Sequence, residues 1–204
     1  MSDTPPATMA RRVTRQGAML FSGFALAQVF SFARNAIVAH WLSRGDFGIA
    51  AAILLLLQLI ETLSDLGADR MILQARDGDD PRVVASAQTT LVVRGGLTAL
   101  LLLALAAPMA AFFGVPAAAW AFACAALVPF IKGFLSLDSR VAQRTLDNRP
   151  QMMIEVLPQA IGFALTMPML MLFGDFSAVL WLAVAQALIA LAVSHIMARR
   201  RYAL

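Results

Sequence analysis

The stretch "FGIAAAILLLLQLIETLSDLGAD", Phe47 to Asp69, decides what kind of protein this is. Its first part is almost wholly apolar, yet Glu61, Asp65 and Asp69 then recur at every fourth residue. Residues three and four apart stack on one face of an α-helix, so Gln58, Glu61, Asp65 and Asp69 form a single polar row. An apolar helix of this length is a membrane span. Charges at membrane depth are costly unless they face protein, water or each other. The row is therefore expected to line an interior space and to avoid lipid.

Composition points the same way. The 204-residue chain is 60% hydrophobic and 14% charged, with a mean hydropathy of +0.76. Soluble domains average about a quarter charged. The 16 Lys+Arg outnumber the 12 Asp+Glu, and in a membrane protein such an excess marks cytoplasmic loops, not nucleic-acid binding. Cys124 is the one cysteine, which excludes an internal disulfide and a cysteine metal cluster. No HExxH, P-loop, GxSxG or histidine cluster is present. "SDLGADR" (Ser64–Arg70) lacks the further aspartates of a CDP-alcohol phosphotransferase motif. Neither enzyme chemistry, nor a metal, nor an organic cofactor is expected.

Six apolar runs reach spanning length: Gly17–Trp41, Phe47–Leu73, Ala85–Ala107, Pro116–Leu137, Met152–Phe173 and Phe176–Met197. The fold expected is an all-α membrane protein of six transmembrane helices. A basic tail (1–16) precedes a six-helix unit (17–197), and a second basic tail (198–204) follows it. Short turns at "LSRGD", "PMAAFFGVP" and "GD" pair the spans, and the polar "DSRVAQRTLDNRPQ" is expected to form a short surface helix. With the N-terminus inside, eleven arginines (11, 12, 15, 76, 82, 140, 144, 149, 199, 200 and 201) fall on the cytoplasmic side and Arg44 alone outside. Both termini are thus expected in the cytoplasm. A cleaved signal peptide ending near Ala27 would invert this bias, and the apolar run continues past it to Trp41.

Three polar rows run along these spans. Gln28, Ser31, Arg34 and Asn35 share a face of the first, Gln58, Glu61 and Asp65 of the second, and Thr90, Arg94 and Thr98 of the third. One shared polar interior is expected. The deep Arg34 and Arg94 either bind an anion or pair structurally with Glu61 or Asp65. Lys132 is either a snorkelling anchor or a cavity residue.

Three segments carry a family resemblance. "AHWLSRGDFG" (Ala39–Gly48) resembles the A-R-x-L-G-P-x-(D/E)-(Y/F)-G pattern that closes the first helix of polysaccharide flippases. "LSDLGADRMILQ" (Leu63–Gln74) resembles the end of their second helix, and "SRVAQRTLDNRPQMMIEVLPQAIG" (Ser139–Gly162) their loop and fifth helix. His40 and Trp41, and Ser43-Arg44 in place of Gly-Pro, depart from the pattern at a turn. The chain is thus similar to the lipid-linked oligosaccharide (O-antigen) flippase branch of the multidrug/oligosaccharidyl-lipid/polysaccharide exporter superfamily, whose members build a MATE-like bundle from two six-helix lobes. The similarity covers one lobe.

The resemblance implies translocation of an undecaprenyl-diphosphate-linked oligosaccharide across the bacterial inner membrane, for lipopolysaccharide or another surface polysaccharide. It further implies membrane lipids and a second six-helix lobe, from another chain or a second copy, as partners. Arg34, Arg94 and Lys132 become candidates for the diphosphate, since the guanidinium fork suits phosphate. Gln28, Ser31, Asn35 and Gln58 become candidates for sugar hydroxyls. Glu61 and Asp65 are assigned to charge balance or to coupling with H+ or Na+. Export of a smaller solute, as in the drug-exporting branch, and a non-transporting membrane fragment stay open as alternatives.

Overall fold

A computed structural model of the protein describes residues 6–64 and 80–198. Every described regular element is helical, and six helices are long and apolar enough to cross a membrane. The chain is a multi-pass all-α membrane protein.

Helix α1 runs Pro6–Trp41 and α2 Arg44–Leu63. The turn between them is closed by Ser43, whose hydroxyl accepts from the Asp46 N–H at 3.1 Å, a side-chain N-cap. Ser64 ends α2, its N–H bonding to the Ile60 carbonyl. The expected extension to Leu73, with Asp65, Asp69 and Arg70, lies outside the described residues.

Helix α3, Pro81–Phe112, starts earlier and ends later than the apolar run alone indicates. Asp80 caps it by accepting from the Arg82 N–H at 2.8 Å, and Pro81 takes the first helical position. The fourth span is not the continuous helix expected over Pro116–Leu137. A 3-10 turn (Pro116–Ala118) leads into α4 (Ala119–Cys124), and after a break α5 covers Leu127–Gly133. Pro129 is the physical reason: it has no N–H for the Ala125 carbonyl, and its ring crowds that carbonyl. The chain tightens there to three-residue bonds, Ala126 to Ala123 and Val128 to Ala125.

The polar connection that follows does fold as a short helix, α6 (Asp138–Arg144). Its Val141, with Leu137 just before it, packs on Ala87 and Leu91 of α3. Helices α7 (Arg149–Phe173) and α8 (Ser177–Ile196) form an antiparallel hairpin. Gly174 closes α7 with φ of 71°, a left-handed cap that glycine adopts without strain.

In lipid the apolar drive between helices vanishes, and close packing of small residues takes over. The main core shows this. Ala52, Ala99, Ala106, Ala110, Ala121, Ala125, Ala126 and Ala187 let Ile53, Leu57, Leu102, Phe122 and Leu180 interdigitate between α2, α3, α4 and α8. The backbones of α3 and α5 cross closely at a pair of glycines. A Cβ on Gly95 would lie 2.8 Å from both the Gly133 Cα and the Pro129 carbonyl oxygen. Large apolar side chains such as Phe21, Phe32, Leu55 and Leu97 point outward, as a lipid-facing coat requires. Helix α1 packs chiefly on α7, α7 on α8, and α5 on both α8 and α3.

Candidate functional site

A cavity of about 350 Å³ opens between α1, α2, α5, α7 and α8. Its polar wall consists of Arg34, Gln58, Glu61, Lys132, Glu155, Gln159 and Gln186, set among Leu54, Leu57, Val128 and Ala187.

Arg34 is half-buried, and its guanidinium is held by neutral oxygens. Nη1 donates to Gln186 Oε1 at 2.7 Å and to Gln159 Oε1 at 3.3 Å. Nη2 donates more weakly to Ser31 Oγ at 3.4 Å. Gln186 Nε2 in turn donates to Gln159 Oε1 at 3.1 Å and to the Pro158 carbonyl at 3.2 Å. The α7–α8 hairpin is drawn tight here because residue 162 is glycine, and a Cβ there would overlap the Gln186 amide. An arginine at the centre of a span costs about 2.5–3.5 kcal/mol. A hydrogen bond to a charged group returns about 1.5–3 kcal/mol, so two amide acceptors offset that cost without neutralising the charge. The site keeps a fixed cation with polar neighbours, suited to an anionic or hydroxyl-rich ligand.

The second cation is handled differently. Lys132, in the last turn of α5, donates to both oxygens of Glu61 at 2.9 and 3.0 Å. The alternative in which Arg34 pairs with Glu61 is therefore not what the structure holds: the acid of α2 reaches α5, and the arginine of α1 reaches α7 and α8. Glu155 accepts from Gln151 Nε2 at 3.0 Å.

The expected single polar interior also divides. Arg34 and the Gln58–Glu61 row share the large cavity. Thr90, Arg94 and Thr98 line a different groove along α3. Arg94 and Lys132 also meet at a small cavity of about 140 Å³ bounded by Ser136, Ser139, Arg140, Gln151, Glu155 and Ser194. Gln28 and Asn35 are exposed on α1 and are not among the residues lining the large cavity, though Asn35 Oδ1 accepts from Arg34 Nη2 at 3.5 Å. Asp65 lies outside the described residues. Gln159 and Gln186 were not anticipated. Their signal was each standing as a single amide within an apolar run, "EVLPQAIGF" and "WLAVAQALIAL".

A family model described as "Polysaccharide biosynthesis protein" matches residues 37–204. The match includes Glu61, Arg94, Lys132, Gln159 and Gln186 and begins three residues after Arg34. No curated protein and no solved structure matches the chain.

Proposed function

The chain belongs to the polysaccharide biosynthesis protein family, and from that membership we propose that it moves a lipid-linked oligosaccharide across the bacterial inner membrane. In this reading the chain is a transporter and not an enzyme. Its cargo is an undecaprenyl-diphosphate-linked precursor of a surface polysaccharide such as O-antigen, and both termini face the cytoplasm. The observation that carries the proposal is Arg34, a cation held at membrane depth by Gln159 and Gln186 in an amide-lined cavity. A purely structural arginine would be expected against a carboxylate. Here the charge is positioned yet kept, and the surrounding amides donate and accept as sugar hydroxyls require.

The same reading includes a second helical lobe, from this polypeptide or another, that closes the cavity from the opposite side. Alternating access by rocking of two lobes around a midplane site is the general transporter scheme.

The test is surface polysaccharide in cells lacking their own flippase, with abundance followed by blot. Arg34→Ala is expected to abolish surface polysaccharide at near-normal abundance, and Arg34→Lys to restore part of it, because the ammonium lacks the planar fork. Wild-type polysaccharide from Arg34→Ala would overturn the role of this cavity in translocation.

A further inference from the structure

The hydrogen bonds around Arg34 all run in one direction. Gln186 Nε2 uses both of its N–H groups, on the Pro158 carbonyl at 3.2 Å and on Gln159 Oε1 at 3.1 Å. Its Oε1 is thereby turned to Arg34 Nη1 at 2.7 Å. The amide cannot be reversed, because the Pro158 carbonyl only accepts and the guanidinium only donates. Gln186 also lies against the α7 backbone at Gly162, where a Cβ would overlap its amide.

Gln159 is oriented by the same logic. Its Oε1 receives two donors, Arg34 Nη1 at 3.3 Å and Gln186 Nε2 at 3.1 Å, so the other end of the amide is the nitrogen. Neither N–H of Gln159 has an acceptor among the described residues, and Gln159 lines the large cavity. Arg34 keeps a matching edge. Nη2 has only long contacts, to Ser31 Oγ at 3.4 Å and Asn35 Oδ1 at 3.5 Å, and Nε has none among the described residues. Both glutamine oxygens are thus consumed inside the wall, and N–H groups remain. Gln58, on α2, is the reverse case: its Nε2 donates to Thr62 Oγ1 at 3.2 Å, and its oxygen remains to accept. Net charge does not set the preference of the Arg34 wall. Lys132 is bridged to Glu61, and Glu155, bonded to Gln151, balances Arg34 in formal charge. The direction of the hydrogen bonds sets it.

Resting on the function proposed above, we propose that Gln159 is a specificity-determining residue. Its amide N–H groups and the Nε–Nη2 edge of Arg34 together hold an oxyanion carried on the sugar part of the cargo. A carboxylate or a phosphate ester accepts from every group this wall offers, and bonds to an ionised partner are the strong ones. A hydroxyl can accept there, but its own proton finds no acceptor on the wall. An ammonium brings only donors to a surface of donors and is refused. The cargo is therefore an oligosaccharide bearing an acidic group, and the selection is made by an uncharged side chain. Gln186 serves this from behind: by turning its oxygen to Arg34 and its nitrogen to Gln159, it fixes which end of each neighbour is left for the ligand.

The experiment uses the full chain in phosphatidylcholine nanodiscs and four soluble probes: glucuronate, glucose 1-phosphate, glucose and glucosamine. Calorimetric titration is expected to show the acids binding at least about tenfold more tightly than glucose, since a hydrogen bond to a charged group contributes at that scale. Glucosamine is expected not to bind. Binding of one acid alone supports the site and tells carboxylate from phosphate. Gln159→Glu keeps oxygens for Arg34 and Gln186 but removes the N–H groups. It is expected to melt at or above the wild-type midpoint and to bind neither acid, whereas a merely structural Gln159 would leave binding untouched. Gln159→Met removes the same N–H groups without adding a charge beside Arg34, and is expected to weaken the acids about tenfold. Arg44→Ala, at the α1–α2 turn, is the control. Binding by neither acid, equal binding of glucose, or wild-type affinity in Gln159→Met would overturn the proposal. The two readings fail separately. Loss of polysaccharide in Arg34→Ala with wild-type acid binding by Gln159→Met sinks only this inference. Normal polysaccharide in Arg34→Ala with acid binding lost in Gln159→Met sinks only the role of the cavity in translocation.

Discussion

Gln159 and Gln186 decide what Arg34 can do. Replacing Gln186 by Leu removes the 2.7 Å acceptor and leaves a guanidinium at membrane depth with poorer solvation. The expected cost is about 1.5–3 kcal/mol. A thermal melt in detergent reads this as a fall of several degrees, since about 1 kcal/mol moves the midpoint roughly 2–4 °C in a chain of this size. Gln28→Leu, on the exposed part of α1, is expected to leave the midpoint where it is. Equal melting of the two variants would show that the amide bonds carry no stability. Sequence periodicity identified Arg34 as interior but not its partners. A helical wheel gives the face a residue occupies and says nothing of which helix meets that face. Gln159 and Gln186 stand 125 and 152 residues further on, where no spacing rule connects them to Arg34.

At the scale of elements, neighbouring glycines on α3 separate packing from propensity. Gly95 presses on the α5 backbone, whereas a Cβ on Gly96 would meet nothing within 4 Å. Gly95→Ala must push α3 and α5 apart, at a cost of about 1–3 kcal/mol as overpacking usually shows. Gly96→Ala is expected to be neutral or stabilising by up to about 1 kcal/mol, through helix propensity alone. Paired melts of the two variants check this, and a Gly95→Ala protein as stable as Gly96→Ala would rule out a tight crossing. The helices themselves were legible, because a run of apolar residues long enough to span has few other solutions. The broken fourth span was less so. Its hydropathy reads as one segment, and the break comes from a single missing donor at Pro129. The start of α3 at Asp80-Pro81 was available as a capping signal, but the apolar run begins only later and draws the boundary with it. Of the three polar rows, Arg34 from the first and Gln58 and Glu61 from the second line one cavity, yet α3 turns Thr90, Arg94 and Thr98 toward a groove of their own. That division depends on helix placement, which periodicity does not encode.

For the whole molecule, the arginine bias fixes the expected orientation, with the α1–α2 turn outside. In a Cys124→Ala background, Ser43→Cys is expected to react with an impermeant maleimide added to intact cells whose outer membrane has been opened. Reaction only after the inner membrane is permeabilised would invert the topology. The bond between Arg34 and the α7–α8 hairpin also bears on how the chain is made. A ribosome adds about 5–20 residues per second, so Gln186 is synthesised roughly 8–30 s after Arg34. For most of that interval the nascent α1 holds a guanidinium whose acceptors on α7 and α8 do not yet exist, Gln159 following 125 residues after Arg34 and Gln186 152 residues after it. Birth order and bonding order are thus opposed: of the described helices, α1 is made before the others yet is among the last to acquire its final partners. The membrane-depth position of Arg34 becomes stable only when the hairpin at the other end of this unit arrives to receive it.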